Sequence, residues 1–301
     1  MKIVNFGSCN IDYVYRLFRV VHAGETAQTG GMSVFAGGKG LNQSVAASRA
    51  GASVYHAGCL GTDGEMLKNV LIESGADVSL LKEVDQKNGH AIIQVEDSGE
   101  NAIFIHKGSN GALTEAYVDE VLCHFSENDM VMLQNEMNLT SYIIEKAFER
   151  GMAVIFNPSP VSEALDCVDI DKIRYLVLNE HEAKALCHKE SAEAFLDYMQ
   201  AYHKNTETVL TLGKRGCIYQ SKETRIAQAA FSVKAVDTTA AGDTFMGYFA
   251  AGMASGDSVC ETLRLACAAS ALAVSKEGAS PSIPKKEAVL AALPTLKEAK
   301  E

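Results

Sequence analysis

Short apolar runs recur along this chain, each followed by a stretch with helical spacing, and that alternation constrains the fold more than any other feature. Strands are expected at Lys2–Gly7, Ser53–Ala57, Met130–Leu133, Ala153–Phe156, Tyr175–Leu178 and Thr208–Thr211. Helices are expected near 40–50, 64–75, 114–124, 140–150 and 180–203. Strands joined through helices make right-handed crossovers, so the sheet they build is parallel and covered on both faces. The last third differs: Ala240–Ser255 and Ser258–Lys276 read as long Ala-rich helices, followed by a final helix near 285–299.

Residues 12–36 and 89–107 break the pattern. Ala91-Ile92-Ile93-Gln94-Val95 and Ala102-Ile103-Phe104-Ile105 read as extended, period-2 patches, with a hairpin signal at Asp97-Ser98-Gly99-Glu100 between them. Strands inserted between βα units do not easily join a parallel core. They are expected in a small separate sheet over the carboxyl ends of the main strands, where open α/β folds bind ligands. That sheet is either a lid or a plain edge hairpin. With no internal repeat and no long linker, residues 1–301 read as one domain.

Composition narrows the function. Lys and Arg number 27 against 38 Asp and Glu, a formal charge of −11. Such a surface repels phosphate backbones and anionic lipid at long range, so neither nucleic acid nor a membrane is an expected partner. A small polyanion held by backbone dipoles stays compatible with it. No apolar run reaches the roughly 18 residues that span a bilayer, and no apolar h-region follows Met1–Gly7. Eight cysteines show neither CxxC nor zinc-ligand spacing and read as reduced thiols in a cytoplasmic protein. The histidines form no metal-ligand pattern, and GxSxG and HExxH are absent.

Five segments hold residues suited to chemistry. In Asp237-Thr238-Thr239-Ala240-Ala241-Gly242-Asp243, tiny residues open a helix whose free N–H groups and macrodipole favour an anion. Asp243 in that first turn is placed to take a proton from a hydroxyl, or is only a dipole-favourable residue. Gly37-Gly38-Lys39-Gly40-Leu41-Asn42-Gln43 is a second glycine-rich helix start, for a polar ligand or for close packing. It matches neither a P-loop nor GxGxxG, and the latter's absence after the first strand argues against a dinucleotide oxidoreductase. Asn10 and Asp12 alternate onto one side of a strand end, a pairing for sugar hydroxyls or a solvated turn. Asn179 with Glu182 makes a capping box, or an amide and carboxylate aimed at phosphate and Mg²⁺-bound water. Thr211-Leu212-Gly213-Lys214-Arg215-Gly216 is a tight turn that could flank a nucleotide.

In this order, and together with Ala23-Gly24-Glu25-Thr26, Gly99-Glu100-Asn101 and Gly278–Pro284, these segments resemble the PfkB carbohydrate kinase family, nearest to its ribokinase branch. The resemblance covers nearly the whole chain, and Gly37–Gly40 and Asp237–Phe245 are its specific motifs. It implies a ribokinase-like, three-layer α/β core with a mostly parallel central sheet, plus a small β-sheet lid that doubles as a homodimer clasp. It also implies ATP-dependent, Mg²⁺-requiring, K⁺-activated transfer of a γ-phosphoryl group to the 5-hydroxyl of D-ribose. Another sugar, a nucleoside, or a non-catalytic sugar-binding role are the alternatives.

By position in the family pattern, Asp243 is the base, and Ala240, Ala241 and Gly242 form the anion hole. Asn10, Asp12, Gly38, Lys39, Asn42 and Glu136 match sugar-binding positions, and Ala91 and Ile103 match lid contacts. Asn179, Thr211, Gly213 and Gly216 match nucleotide contacts, with Glu182 near Mg²⁺ and phosphate. Asp237, Thr239, Ala273, Lys276, Gly278 and Ser282 match a monovalent-cation site built largely from carbonyls. The chain departs from the pattern at Gly61-Thr62-Asp63-Gly64, at Phe104 and Lys107 beside the lid contacts, and at Cys267, where an adenine-side histidine is common.

Overall fold

The computed structural model describes residues 1–96 and 101–299, so the turn signal at Asp97-Ser98-Gly99-Glu100 lies outside the described residues. Strand β1 (Lys2–Phe6) leads into the antiparallel pair β2 (Asn10–Leu17) and β3 (Gly31–Gly37), then helix α1 (Lys39–Arg49) and strand β4 (Ser53–Leu60). Helix α2 (Glu65–Glu73) precedes the short β5 (Leu81–Glu83) and the second pair, β6 (Gly89–Glu96) and β7 (Asn101–His106). Regular alternation follows: α3 (Glu115–Leu122), β8 (Met130–Gln134), α4 (Thr140–Glu149), β9 (Ala153–Asn157) and β10 (Tyr175–Asn179). Helices α5 (Glu180–Cys187) and α6 (Ala192–Tyr202) lead to β11 (Glu207–Thr211), β12 (Cys217–Gln220) and β13 (Arg225–Gln228). Helices α7 (Ala241–Ser255), α8 (Val259–Val274) and α9 (Lys286–Ala292) close the chain.

Among the described residues the main sheet has the order β13-β12-β11-β10-β9-β8-β1-β4-β5. It is parallel from β5 to β11, and β12 and β13 add antiparallel at one edge. Strand alternation sends neighbouring residues into two different cores. Ile3, Met130, Met132, Ile155 and Val209 pack on one side with Leu41, Phe249 and Ala266 from α1, α7 and α8. Val4, Phe6, Val131, Leu133 and Phe156 pack on the other with Val118, Ile143 and Phe195 from α3, α4 and α6. Each fully buried side chain of this size contributes about 1.5–3 kcal/mol, which fixes both helix layers onto the sheet.

The inserted strands form their own sheet, β3-β2-β6-β7, as the broken alternation predicts. It adjoins the carboxyl end of β1, because only Gly7–Cys9 separate β1 from β2. Several boundaries differ from expectation. The helix expected over 180–203 is broken: α5 stops at Cys187, His188 takes a left-handed φ of 53°, and Ser191 caps α6. The final helix ends at Ala292: Leu293 keeps helical angles, but Pro294 has no N–H with which to continue the hydrogen-bond ladder. Strands β5, β12 and β13 are too short, at 3 to 4 residues, for periodicity to announce them.

Candidate active site

Every predicted polar segment sits at the carboxyl end of a parallel strand or the N-terminus of a helix facing those ends. A cavity of about 230 Å³ opens between β9, β10, β11 and the starts of α1 and α7. It gathers Lys39, Asn179, Glu182, Thr211 and the run Ala240–Asp243. Asn157, Thr238 and Met246, which sequence reasoning missed, also line it.

Helix α7 begins abruptly. Ala240 holds a left-handed φ of 59°, a conformation that costs an alanine free energy and persists only where its surroundings impose it. Thr244 N–H donates to the Ala240 carbonyl, while the Gly242 and Asp243 amides have no hydrogen-bond partner among the described residues. A Cβ added to Gly242 would meet nothing within 4 Å. Open space before unpartnered amides at a helix N-terminus is a cradle that fits a phosphoryl group.

Asp243, only 8% exposed, is held at both oxygens. Asn42 Nδ2 donates to Oδ2 at 3.0 Å, and Gln43 Nε2 donates to Oδ1 at 3.0 Å. Asn42 leaves its buried Oδ1 without a partner, an acceptor free for a ligand hydroxyl. The glycines before α1 make this approach possible: Gly38 takes a φ of 93°, closed to most side chains. The Lys39 amide and the Ser8 hydroxyl both donate to Glu136 Oε2.

Four carboxylates and one ammonium converge here. Burial raises the Asp12 carboxyl to about 7, with help from the charges of Glu136 and Asp243. Burial also raises Glu136, against the donors Ser8 and Lys39. For Lys39, burial alone would lower the pKa, but Asp243, Glu136 and Glu182 outweigh it and the ammonium is held charged. Asn10 and Asp12 share a face of β2, and Asn110 Nδ2 holds the Asn10 oxygen at 2.7 Å. Register puts Ala91 beside Asp12 and Ile103 beside Ile93, so both lid positions lie on that same face. Ala91 is buried there and Ile103 is 53% exposed.

The capping box at α5 and the cavity lining coexist. Asn179 Oδ1 accepts from the Glu182 amide, and Glu182 Oε2 accepts from the Asn179 amide at 3.0 Å. The same Oε2 accepts from Asn157 Nδ2 at 3.3 Å. Gly213 and Gly216 lie one turn beyond Thr211 and off the cavity wall, closing the turn through Gly216 N–H to the Gly213 carbonyl. The expected cation-site residues come together in two adjoining loops. Asp237 accepts from the amides of Thr239 at 2.9 Å and Gly278 at 3.0 Å. Ser282 N–H and Oγ both donate to the Ala279 carbonyl. The backbones of Val236 and Asp237 are tied to the Val274 carbonyl, near Ala273 and Lys276.

Known proteins repeat the pattern. The chain is 36% identical to a ribokinase of Schizosaccharomyces pombe, over 94% of this chain and 95% of that one. It is 35% identical to a ribokinase of Haemophilus influenzae, with the same shares covered. Among solved structures, a ribokinase of Cryptococcus neoformans in complex with ADP aligns with a TM-score of 0.83 at 31% identity, over 96% of this chain and 99% of that one. An Arabidopsis thaliana ribokinase complexed with ribose and ATP aligns with a TM-score of 0.85 at 28% identity, over 97% and 98%. Residues 1–286 match the family described as pfkB family carbohydrate kinase, and the chain belongs to that family.

Proposed function

We propose that this chain is an ATP-dependent kinase that phosphorylates the 5-hydroxyl of D-ribose. One observation carries the reading: a buried carboxylate, Asp243, is clamped by two amides beside the unpartnered N-terminus of α7, at the mouth of the cavity. The sugar lies on Asn10, Asp12, Gly38, Asn42 and Glu136 under the lid, with Ala91 and Ile103 above it. Asp243 takes the proton of the attacking hydroxyl as the oxygen–phosphorus bond forms and the bond to ADP breaks. Ala240, Ala241 and Gly242 present backbone dipoles to the charge that grows on the transferred group. Thr211, Gly213, Gly216 and Asn179 flank the nucleotide, and Lys39 faces the phosphate side with its charge intact. Mg²⁺, held through water near Glu182, would neutralise the phosphate oxygens. A K⁺ ion on the carbonyls around Asp237, Thr239, Ala273, Lys276, Gly278 and Ser282 would steady the loop that leads into α7.

The lid's exposed apolar side chains, including Met32, Phe35, Ile103 and Phe104, support a homodimer joined through that sheet. Free thiols at all eight cysteines fit a reducing, cytoplasmic setting. A panel of ribose, deoxyribose, fructose and nucleosides, assayed for ADP release with and without K⁺, tests the reading. Ribose is expected to give the highest kcat/KM, with a gain in K⁺; a clear preference for a nucleoside would contradict it.

A further inference from the structure

A chain of buried amides runs back from Asp243 through the centre of the sheet. Gln43 and Gln134 are 0% exposed, as are Asn5 on β1 and His56 on β4. Parallel central strands normally carry apolar residues at such positions, so polar groups there need a reason. Their hydrogen bonds are continuous. His56 Nε2 donates to the Gly7 carbonyl at 3.1 Å, because a carbonyl only accepts. Its Nδ1 is therefore the acceptor for Ser44 Oγ at 2.8 Å. Ser44 Oγ accepts from Asn5 Nδ2 at 2.7 Å, and Asn5 Oδ1 accepts from Gln134 Nε2 at 2.9 Å. Gln134 Nε2 also donates to Gln43 Oε1 at 2.8 Å. Gln43 Nε2 is left to donate to Asp243 Oδ1 at 3.0 Å and toward Asn157 Oδ1 at 3.5 Å.

The polarity of this chain is fixed at both ends by groups that only accept: a carbonyl and a carboxylate. If the Gln43 amide flipped, its oxygen would face the Asp243 carboxylate and its NH₂ would face the NH₂ of Gln134. Both contacts would be repulsive in a water-free interior, where an unpaired polar group is costly. The donor of Gln43 is thus locked toward the base. Through Asn157, the same amide is joined to Glu182 on the opposite side of the cavity.

We propose that Gln43, clamped by Gln134, is a positioning residue that holds the Asp243 carboxylate in its reactive orientation and couples it to the Glu182 side of the cavity. This inference rests on Asp243 being the base. Gln43 touches no part of the sugar site defined above; it acts through Asp243. Asn42 alone then leaves the carboxylate free to turn about its Cβ–Cγ bond.

The test is steady-state kinetics on the full-length enzyme carrying Gln43→Met, which keeps length and volume and removes the donor. Its kcat is expected to fall roughly 10- to 100-fold, the range for loss of a hydrogen bond to a charged group. The KM for ribose is expected to stay near wild type, while the melting temperature falls by several degrees because Gln134 and Asp243 each lose a buried partner. Should Gln43→Met fail to fold, Gln134→Met gives the same reading, with a smaller drop in kcat at unchanged KM. Gln43→Met combined with Asp243→Asn is expected to be no slower than Asp243→Asn alone, since the group being positioned is gone. A wild-type kcat in the folded glutamine variant, or a loss that adds in full to that of Asp243→Asn, would overturn the proposal. If Asp243→Asn itself keeps wild-type activity, the failure belongs to the base assignment instead.

Discussion

Gly37 lies directly beneath the carboxylate of Asp12: a Cβ built on it would stand 1.9 Å from Oδ2. The two residues sit on paired strands of the small sheet, where Asn10 opposes Gly37 and Asp12 opposes Phe35. A glycine at the end of β3 therefore creates the space that the Asp12 carboxylate occupies. Gly37→Ala is expected to displace Asp12 and raise the ribose KM roughly tenfold or more, the scale of a lost charged hydrogen bond. The loss in kcat should be smaller. Isothermal titration and kinetics check this, and an unchanged KM would separate Asp12 from the sugar.

On the proposed reading, the raised carboxyl of Asp12 is expected to make sugar binding pH-dependent. With a pKa near 7 in the free enzyme, it is largely protonated at pH 6 and ionised at pH 8. Sugar hydroxyls donate to the ionised form, so binding favours loss of that proton. The ribose KM is expected to rise as pH falls through 7, by roughly tenfold per unit well below it, and to level off above. Asp12→Asn should flatten the profile. A KM that does not vary between pH 6 and 8 would contradict the assignment.

His56 carries a second pH effect, on stability. Burial lowers its imidazole from 6.5 to about 4, against the bond to the Gly7 carbonyl. The folded state keeps it neutral while the unfolded chain protonates it near 6.5. Its contribution is fully present above that value and is lost as pH falls toward 4, about 3 kcal/mol in all. Urea denaturation is expected to show the stability gap between wild type and His56→Gln narrowing by about that amount between pH 7 and 4. A constant gap would mean that His56 is charged or solvated in the fold.

Gly242 separates phosphate binding from folding. Because an added Cβ meets nothing in the protein, Gly242→Val should leave the melting temperature within a few degrees of wild type. The added methyls would occupy the cradle before the α7 amides, raising the ATP KM and lowering kcat by roughly tenfold or more. Kinetics alongside thermal unfolding check both halves.

Much of this site was legible because its residues lie in contiguous, unusual runs. Gly37–Gln43 and Asp237–Asp243 are glycine- and alanine-rich helix starts; the first delivers Lys39 and the second Thr238 and Ala240–Asp243 to one cavity. The residues that hold them in place were not legible. Asn5, His56 and Gln134 are single polar residues inside apolar strands, and nothing local distinguishes them from strand-end noise. Asn110 and Asn157 reach Asn10 and Glu182 across 100 and 25 residues of sequence, a pairing that only the folded chain creates. Gln43 sits in a glycine-rich helix start, yet its partners, Gln134 and Asp243, come from a strand and a distant helix. The break at His188 has no local signal, because helical spacing continues on both sides of it.

The most direct measurement is the turnover of Asp243→Asn with saturating ribose, ATP and Mg²⁺. The account predicts a fall in kcat of about 10²- to 10⁴-fold, the worth of a positioned base, with ribose binding by calorimetry within a few-fold of wild type. A kcat close to wild type would contradict the claim that this carboxylate takes the proton.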